Sequence, residues 1–116
     1  MSNHSIDSYS FGKITVDGNT YNKDLIVCQD KIIENWRREK GHSLTKADLQ
    51  AILAEPPDLL IVGTGSRGIL KVPAATAEAI RSEGIELVAL PTGRAVGKYN
   101  EVKDSRKTAA ALHLTC

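Results

Sequence analysis

The feature that most constrains the fold is an unbroken apolar run, Leu59-Leu60-Ile61-Val62. Pro57 stands shortly before this run and Gly63 directly after it, so turn-forming residues mark both of its ends. A short apolar run with such boundaries is typical of a strand that is buried on both faces of a sheet. The chain is therefore expected to build its core around a sheet that is covered on both sides.

Beyond this run, the sequence alternates between predicted helices and predicted strands. Pro73 suits the first turn of a helix, where its missing N–H has no partner to lose, and Gly84 suits the end of that helix. Residues 85–90 predict a strand, residues 94–103 a helix and residues 107–115 a last strand. Alternation of this kind favours a mostly parallel sheet with helices packed on it, which is an α/β fold.

The first half of the chain predicts a β-hairpin and one helix. Residues 9–16 are expected to form one strand, Asp17-Gly18 a tight turn, and residues 20–28 the returning strand. Residues 31–36 fit either a strand or one helical turn, while residues 43–55 have the capping pattern of a helix. The hairpin is expected either to form a separate layer or to extend one edge of the sheet.

Length and composition predict a single cytoplasmic domain over residues 1–116, with residues 1–8 flexible. A chain of 116 residues with 41% hydrophobic but only 4% aromatic residues can bury one aliphatic core. The formal charge of +1 argues against a nucleic-acid-binding protein, which normally carries a basic excess. No apolar run approaches a membrane span, no secretory signal is evident, and two cysteines are too few for a disulfide scaffold.

The glycine-rich segment after the first buried strand is the strongest candidate for a ligand-binding site. Glycines permit backbone conformations that aim successive N–H groups at one anion. Ser66 would add a hydroxyl and Arg67 a guanidinium. If the strands are parallel, a second loop opens the next helix at the same end of the sheet. The predicted ligand-binding residues are Gly63, Thr64, Gly65, Ser66, Arg67, Gly68, Thr92, Gly93 and Arg94. The alternative is a connection that needs glycine only for its shape, with both arginines as ordinary surface residues.

No complete catalytic, cofactor or metal motif supports a specific reaction. The spacing of the three glycines resembles the dinucleotide-binding pattern, but the helix starts late and the next strand ends without an acidic residue. A nucleotide-triphosphatase loop needs Lys and Ser or Thr where Ile69 and Leu70 stand. If His113 and Cys116 lie on one strand, their side chains point to opposite faces and do not converge on a metal ion. The sequence also lacks the four ligands that a structural zinc site needs. We therefore expect no cofactor, no metal and no nucleic-acid partner, and we leave the roles of Cys28, His113 and Cys116 open.

Several short segments together resemble the small Mth-type domain of unknown function. They are residues 57–65, Lys71-Val72-Pro73, Leu90-Pro91-Thr92-Gly93, Tyr99-Asn100 and residues 112–116. The family includes the mitochondrial complex I assembly factor three and an adipogenesis-associated Mth-type domain protein. The resemblance implies a three-layer α/β fold with a central mixed sheet and an N-terminal β-hairpin layer, and it suggests that residues 31–36 form a strand. It implies no established activity, no cofactor and no catalytic residues.

Two functions follow as hypotheses from these observations. The first is a non-enzymatic protein-interaction or assembly-factor-like module, because the resemblance includes assembly roles and no catalytic constellation is present. The second is a binder of a small anionic metabolite, or an enzyme acting on one, at residues 63–68. The chain is expected to be a monomer or a homodimer, the dimer pairing through the exposed edge of the hairpin.

Overall fold

The computed structural model describes residues 4–28, 30–40 and 42–115. A three-stranded antiparallel sheet in the order β1-β2-β3 precedes a five-stranded sheet in the order β5-β4-β8-β6-β7. The strands are β1 (Ile6–Ser10), β2 (Lys13–Val16), β3 (Asn19–Tyr21), β4 (Leu25–Val27), β5 (Ile32–Ile33), β6 (Leu59–Thr64), β7 (Glu86–Leu90) and β8 (Thr108–His113). The helices are α1 (Gln50–Ala54), α2 (Ala74–Arg81) and α3 (Thr92–Val102).

The five-stranded sheet confirms the expected mixed, mostly parallel arrangement. β6 runs parallel to both β7 and β8, whereas β4 runs antiparallel to β8 and to β5. Four of the five strands therefore point in the same direction. β6 and β8 are buried along their whole lengths, as an apolar strand between two covering layers should be.

The sheet is covered on both faces, which confirms the three-layer α/β fold. One core cluster joins the first face to the N-terminal sheet and α3, with Ile14, Val16 and Tyr99 among its buried residues. The other joins the opposite face to α1, to α2 and to Trp36, Leu44 and Leu49. Because side chains alternate along a strand, neighbouring residues of β6 and β8 enter different clusters.

The N-terminal layer has three strands rather than the two of the predicted hairpin. The expected single strand over residues 9–16 is wrong, since the chain turns at Phe11-Gly12, where Gly12 has a φ of 73°. The predicted returning strand over residues 20–28 is also divided, with β3 in this layer and β4 in the central sheet. Of the start expected to be flexible, residues 1–3 lie outside the described part, while Ile6 is buried in β1.

Two short segments differ in length from their predicted elements. The suggested strand over residues 31–36 is confined to the two residues of β5. The predicted helix over residues 43–55 is a 3₁₀ turn, Lys46–Leu49, that continues directly into α1. As its capping pattern predicts, the Thr45 backbone N–H donates to Asp48 Oδ2 at 2.9 Å. None of the helices in the described ranges is long and apolar enough to cross a membrane.

Candidate functional site

The glycine-rich segment lies at the carboxyl end of the parallel strands, as the sequence predicts. Gly63 and Thr64 belong to β6, and residues 65–68 form the loop that follows. Gly65 and Gly68 have φ values of 101° and 71°, a conformation in which a side chain would be strained. A Cβ atom on Gly63 would lie 2.8 Å from Leu112 Cδ2, so this glycine is needed for close packing. Conformation and packing thus account for these three glycines.

The N–H groups of this loop donate largely to the protein itself. Gly65 N–H donates to Thr92 Oγ1 at 2.9 Å, and Thr92 N–H returns a bond to the Gly65 carbonyl at 3.0 Å. Ser66 N–H donates to the Thr115 carbonyl at 2.6 Å, and Gly68 N–H donates to the Gly65 carbonyl at 3.2 Å. The two predicted loops therefore meet, but three of the amides that would form an anion nest are already engaged.

The remaining predicted residues divide between the outside of these two loops and the core beneath them. Arg67, Gly93 and Arg94 are exposed, whereas Thr64 and Thr92 are buried beneath the loops. Thr92 Oγ1 also donates to the His113 carbonyl at 2.6 Å and so ties α3 to the end of β8. These contacts give the threonine a structural role, and anion binding at this loop pair stays a prediction.

A buried ionic cluster that the sequence analysis missed lies at the same end of the sheet. Asp24 Oδ2 is 2.7 Å from His113 Nδ1 and 2.9 Å from Arg38 Nη1, and Asp24 Oδ1 accepts the Leu114 N–H at 2.8 Å. The side chains of Arg38 and His113 are each only 7% exposed. We call Asp24, Arg38 and His113 the ionic cluster.

Hydrogen bonding determines the electrostatics of this cluster. Burial by itself would raise the pKa of the Asp24 carboxyl, but bonds from His113, the Leu114 amide and Arg38 outweigh it, and the pKa is lowered. His113 Nδ1 lies between the Asp24 carboxylate, which can only accept, and Arg38 Nη2, which can only donate, at 3.1 Å. His113 Nε2 is a buried nitrogen without a hydrogen-bond partner in the described chain.

The sequence contained only a weak indication of this cluster. Asp24 directly precedes the apolar run of β4, and His113 ends β8, so each is an ionisable residue at the end of a buried strand. They face each other because β4 pairs antiparallel with β8, with Leu25 opposite Leu112. That pairing joins residues 89 positions apart, which no local pattern predicts.

A polar cleft of about 410 Å³ opens beside the ionic cluster. Its lining residues are Asn22, Lys23, Asp24, Asn35, Trp36, Arg37, Arg38 and Thr115. The Arg38 guanidinium lies 4.9 Å from the centre of the Trp36 ring, and Trp36 Nε1 donates to the Asp48 carbonyl at 2.8 Å. We call this space the basic cleft, because three cationic side chains and one carboxylate line it.

A second cavity of about 400 Å³ lies at the opposite end of the sheet, between α1 and the start of β8. The half-buried Cys28 thiol lines it together with Lys31 and Glu55, which form an ion pair at 3.6 Å. Burial raises the pKa of the Cys28 thiol, so the reactive thiolate is disfavoured. No group of three or more His, Cys, Asp or Glu residues within the described ranges could hold a metal ion, and Cys116 lies outside those ranges.

Comparison with known proteins identifies the family. Residues 6–113 match the family described as Protein of unknown function (DUF498/DUF598). The conserved hypothetical protein PH1505 from Pyrococcus horikoshii OT3 has a similar structure, with a TM-score of 0.87 at 26% identity over 97% of this chain and 99% of that one. The structure described as MT938 has a TM-score of 0.82 at 27% identity, again over 97% and 99% of the two chains.

A third similar structure is described by the name of the domain, Mth938-like. A Bordetella pertussis protein described as an Mth938-like domain has a TM-score of 0.77 at 22% identity and covers 96% of this chain and 85% of its own. At that identity the likeness shows the fold alone. Together with the family match over almost the whole chain, these structures confirm the resemblance. The chain therefore belongs to the DUF498/DUF598 family and is an Mth-type domain of unknown function.

Proposed function

We propose that the protein is a non-enzymatic protein-interaction module that binds an acidic segment carrying a large apolar side chain. The observation that supports this most is an exposed aromatic residue in a turn that lies close to a residue lining the basic cleft. Phe11 is 66% exposed, and only Ile69 joins it as a largely exposed big hydrophobic residue in the part of the chain described. Aromatic residues and arginine are enriched at protein–protein interfaces relative to the rest of the surface.

Gly12, the neighbour of Phe11 in its turn, lies close to the end of the chain that borders the basic cleft. Gly12 N–H donates to the Leu114 carbonyl at 2.8 Å, and a Cβ atom on Gly12 would lie 3.9 Å from Thr115 Cγ2. Thr115 in turn lines the basic cleft. The turn that carries Phe11 therefore lies against the same short stretch of chain that borders the cationic side chains.

The charge of the basic cleft favours an acidic partner. Asp24 is the one carboxylate in its lining, and it is already bound by Arg38 and His113. Lys23 and Arg37 form no ion pair within the described ranges, and Arg37 is exposed. A carboxylate on a partner would be attracted to these two cations, and the attraction should weaken as salt is added.

Nuclear magnetic resonance titration tests this proposal directly. The ¹⁵N-labelled protein is titrated with three synthetic peptides: one acidic with a central phenylalanine, one acidic without it, and one basic with it. We expect the first peptide to shift the amide signals of residues 11–12, 22–24 and 35–38, and to do so less at high salt. The absence of shifts at these residues with the first peptide would overturn the proposal.

Two pairs of variants separate specific binding from general charge effects. Arg37→Glu should weaken binding of the first peptide. Arg81→Glu makes the same charge change at the last residue of α2 and should not weaken it. Phe11→Ser should remove the preference for the peptide with phenylalanine, while Ile69→Ser should keep it. Equal losses within either pair would contradict the assigned surface.

A second candidate function is recognition of a small anionic metabolite at residues 63–68. The supporting observation is that this loop contacts the start of α3 at the carboxyl end of the parallel strands, where ligands of α/β proteins bind. Thermal unfolding with phosphates, nucleotides and carboxylates tests it, since a ligand at ~100 times its Kd adds about 2.7 kcal/mol of stability. A shift that Arg67→Ala abolishes would support this candidate, and no shift with any of these compounds would reject it.

A further inference from the structure

The two sheets formed by the described residues end in four edge strands, and three of them are poorly suited to pairing with another chain. β3 has three residues and β5 only two. β1 is polar, has an irregular register next to Ile6, and has its Ile6 N–H and C=O bound by the Asn100 side chain at 3.0 and 2.7 Å. Short strands, irregular register and covered backbone groups are the usual protections of sheet edges.

β7 is the fourth edge strand and has none of these protections. It is five residues long, Glu-Leu-Val-Ala-Leu, and pairs in regular register with β6 along its whole length. It contains no proline, no lysine and no bulge. Glu86 and Ala89 are exposed and the other three residues are half-buried, in contrast to the fully buried β6 and β8. A regular edge of this kind, apolar after Glu86, is a template for another strand.

The backbone geometry defines which groups of β7 face outward. Glu86 N–H donates to the Asp58 carbonyl at 2.9 Å, so the N–H of Glu86 points toward the β6 side. Backbone groups alternate along a strand, so those of Val88 and Leu90 follow Glu86 toward β6. The N–H and C=O groups of Leu87 and Ala89 therefore point away from the sheet.

We propose that two copies of this chain associate through β7 and join their central sheets across a two-fold axis at Val88. Leu87 would exchange both backbone hydrogen bonds with Ala89 of the partner subunit, and Ala89 with Leu87 of the partner subunit. Four outward N–H groups and four C=O groups would then be satisfied by one self-complementary contact, as a two-fold interface requires. This inference does not depend on the proposed function.

Charge favours this antiparallel pairing over a parallel one. Parallel self-pairing would bring Glu86 close to its own copy, and facing like charges destabilise a sheet. In the antiparallel register, Glu86 instead faces Leu90 of the partner subunit. The Glu86 carboxylate also keeps its ion pair with Arg106, at 2.8 Å, on its own subunit. Antiparallel pairing with a second copy therefore brings no like charges to face each other.

Sedimentation velocity over a hundredfold range of protein concentration tests association. We expect a monomer–dimer equilibrium for the unaltered chain and a monomer for Ala89→Lys, because a charged side chain on an exposed edge position opposes pairing. Gln50→Lys, the same type of change on the exposed side of α1, should leave the dimer intact. A chain that stays monomeric throughout, or a dimer that Ala89→Lys does not weaken, would overturn the proposal.

Amide hydrogen exchange on the unaltered chain keeps the test independent of how the variants fold. Raising the protein concentration should slow exchange at Leu87 and Ala89, whose N–H groups enter the contact. Exchange at Val88, whose N–H already faces β6, should change little. Slowed exchange at β1 or β3 instead, with no change at Leu87 and Ala89, would assign the dimer to another edge and overturn the inference.

Discussion

Replacing Asp24 with asparagine should destabilise the protein severely, because Asp24 holds the ionic cluster together. The carboxylate accepts from His113 Nδ1 and from the Leu114 amide and pairs with Arg38, at 2.7 to 2.9 Å. Asparagine can still accept from the Leu114 amide, and His113 can change tautomer to accept from the new NH₂ group. The substitution therefore acts mainly by removing the negative charge that faces the buried guanidinium.

The expected cost follows from the burial of that guanidinium. Removing one partner of a buried ion pair typically costs about 3–5 kcal/mol. A domain has a total stability of about 5–15 kcal/mol, so the variant should lose a large part of its own. With roughly 4 °C for each kcal/mol, Asp24→Asn should lower the Tm by roughly 12–20 °C. Urea unfolding followed by the fluorescence of the single tryptophan measures the change directly.

Asp17→Asn provides a matched control on the surface. Asp17 accepts from the Ser5 amide at 2.9 Å and pairs with His4, but its side chain is 42% exposed. The same chemical change there should cost less than about 1 kcal/mol, because water screens exposed pairs. If the two variants lose the same free energy of unfolding, and their unfolding free energies depend on urea concentration with the same slope, the ionic cluster does not stabilise the fold as argued.

The pH dependence gives a second check on the same reasoning. The pKa of Asp24 is lower in the folded protein than in the unfolded chain, where it is about 3.9. Its ionised form therefore stabilises the fold at every pH above about 4, and this contribution is lost as the pH falls through the folded pKa. The difference in unfolding free energy between the unaltered protein and Asp24→Asn should narrow as the pH falls below about 4, and a difference that widened there would refute the assignment.

Three further results are expected. Gly63→Ala should cost about 1–3 kcal/mol in urea unfolding, since its Cβ would lie 2.8 and 2.9 Å from neighbouring side-chain atoms, while Gly97→Ala, with open space around it, should not destabilise. Burial raises the pKa of Tyr99, so the neutral phenol stabilises the fold below about pH 10, and this stabilisation is lost as the pH rises. Ultraviolet titration should show one tyrosine that ionises only when the protein unfolds in alkali. This phase should be absent from Tyr99→Phe. In a Cys116→Ser background, Cys28 should react with a disulfide reagent more slowly than a free thiol, and an equal rate would contradict its raised pKa.

Local patterns were sufficient to predict the second half of the fold. The apolar run of β6, the start of α2 after Pro73 and the turn that follows α2 at Gly84, with a φ of 81°, all follow from the nature of the residues themselves. The position of the glycine-rich loop also followed, because a parallel sheet brings the ends of β6 and β7 to one side. In the first half, the turn at Phe11-Gly12 was missed, although the apolar alternation changes phase there, from positions 9 and 11 to positions 14 and 16.

The sequence by itself determined an aliphatic α/β core, the alternation of strands and helices that makes its sheet mostly parallel, and the turns at Gly18 and Gly84. The tertiary structure alone decided that β4 pairs antiparallel with β8, and this brings Asp24 to His113 across 89 residues of chain. The same structure decided that the amides of Gly65 and Ser66 donate to the Thr92 hydroxyl and the Thr115 carbonyl. The physical reason is that periodicity reports which face of an element is buried, whereas pairing between distant strands depends on the packing of the whole chain.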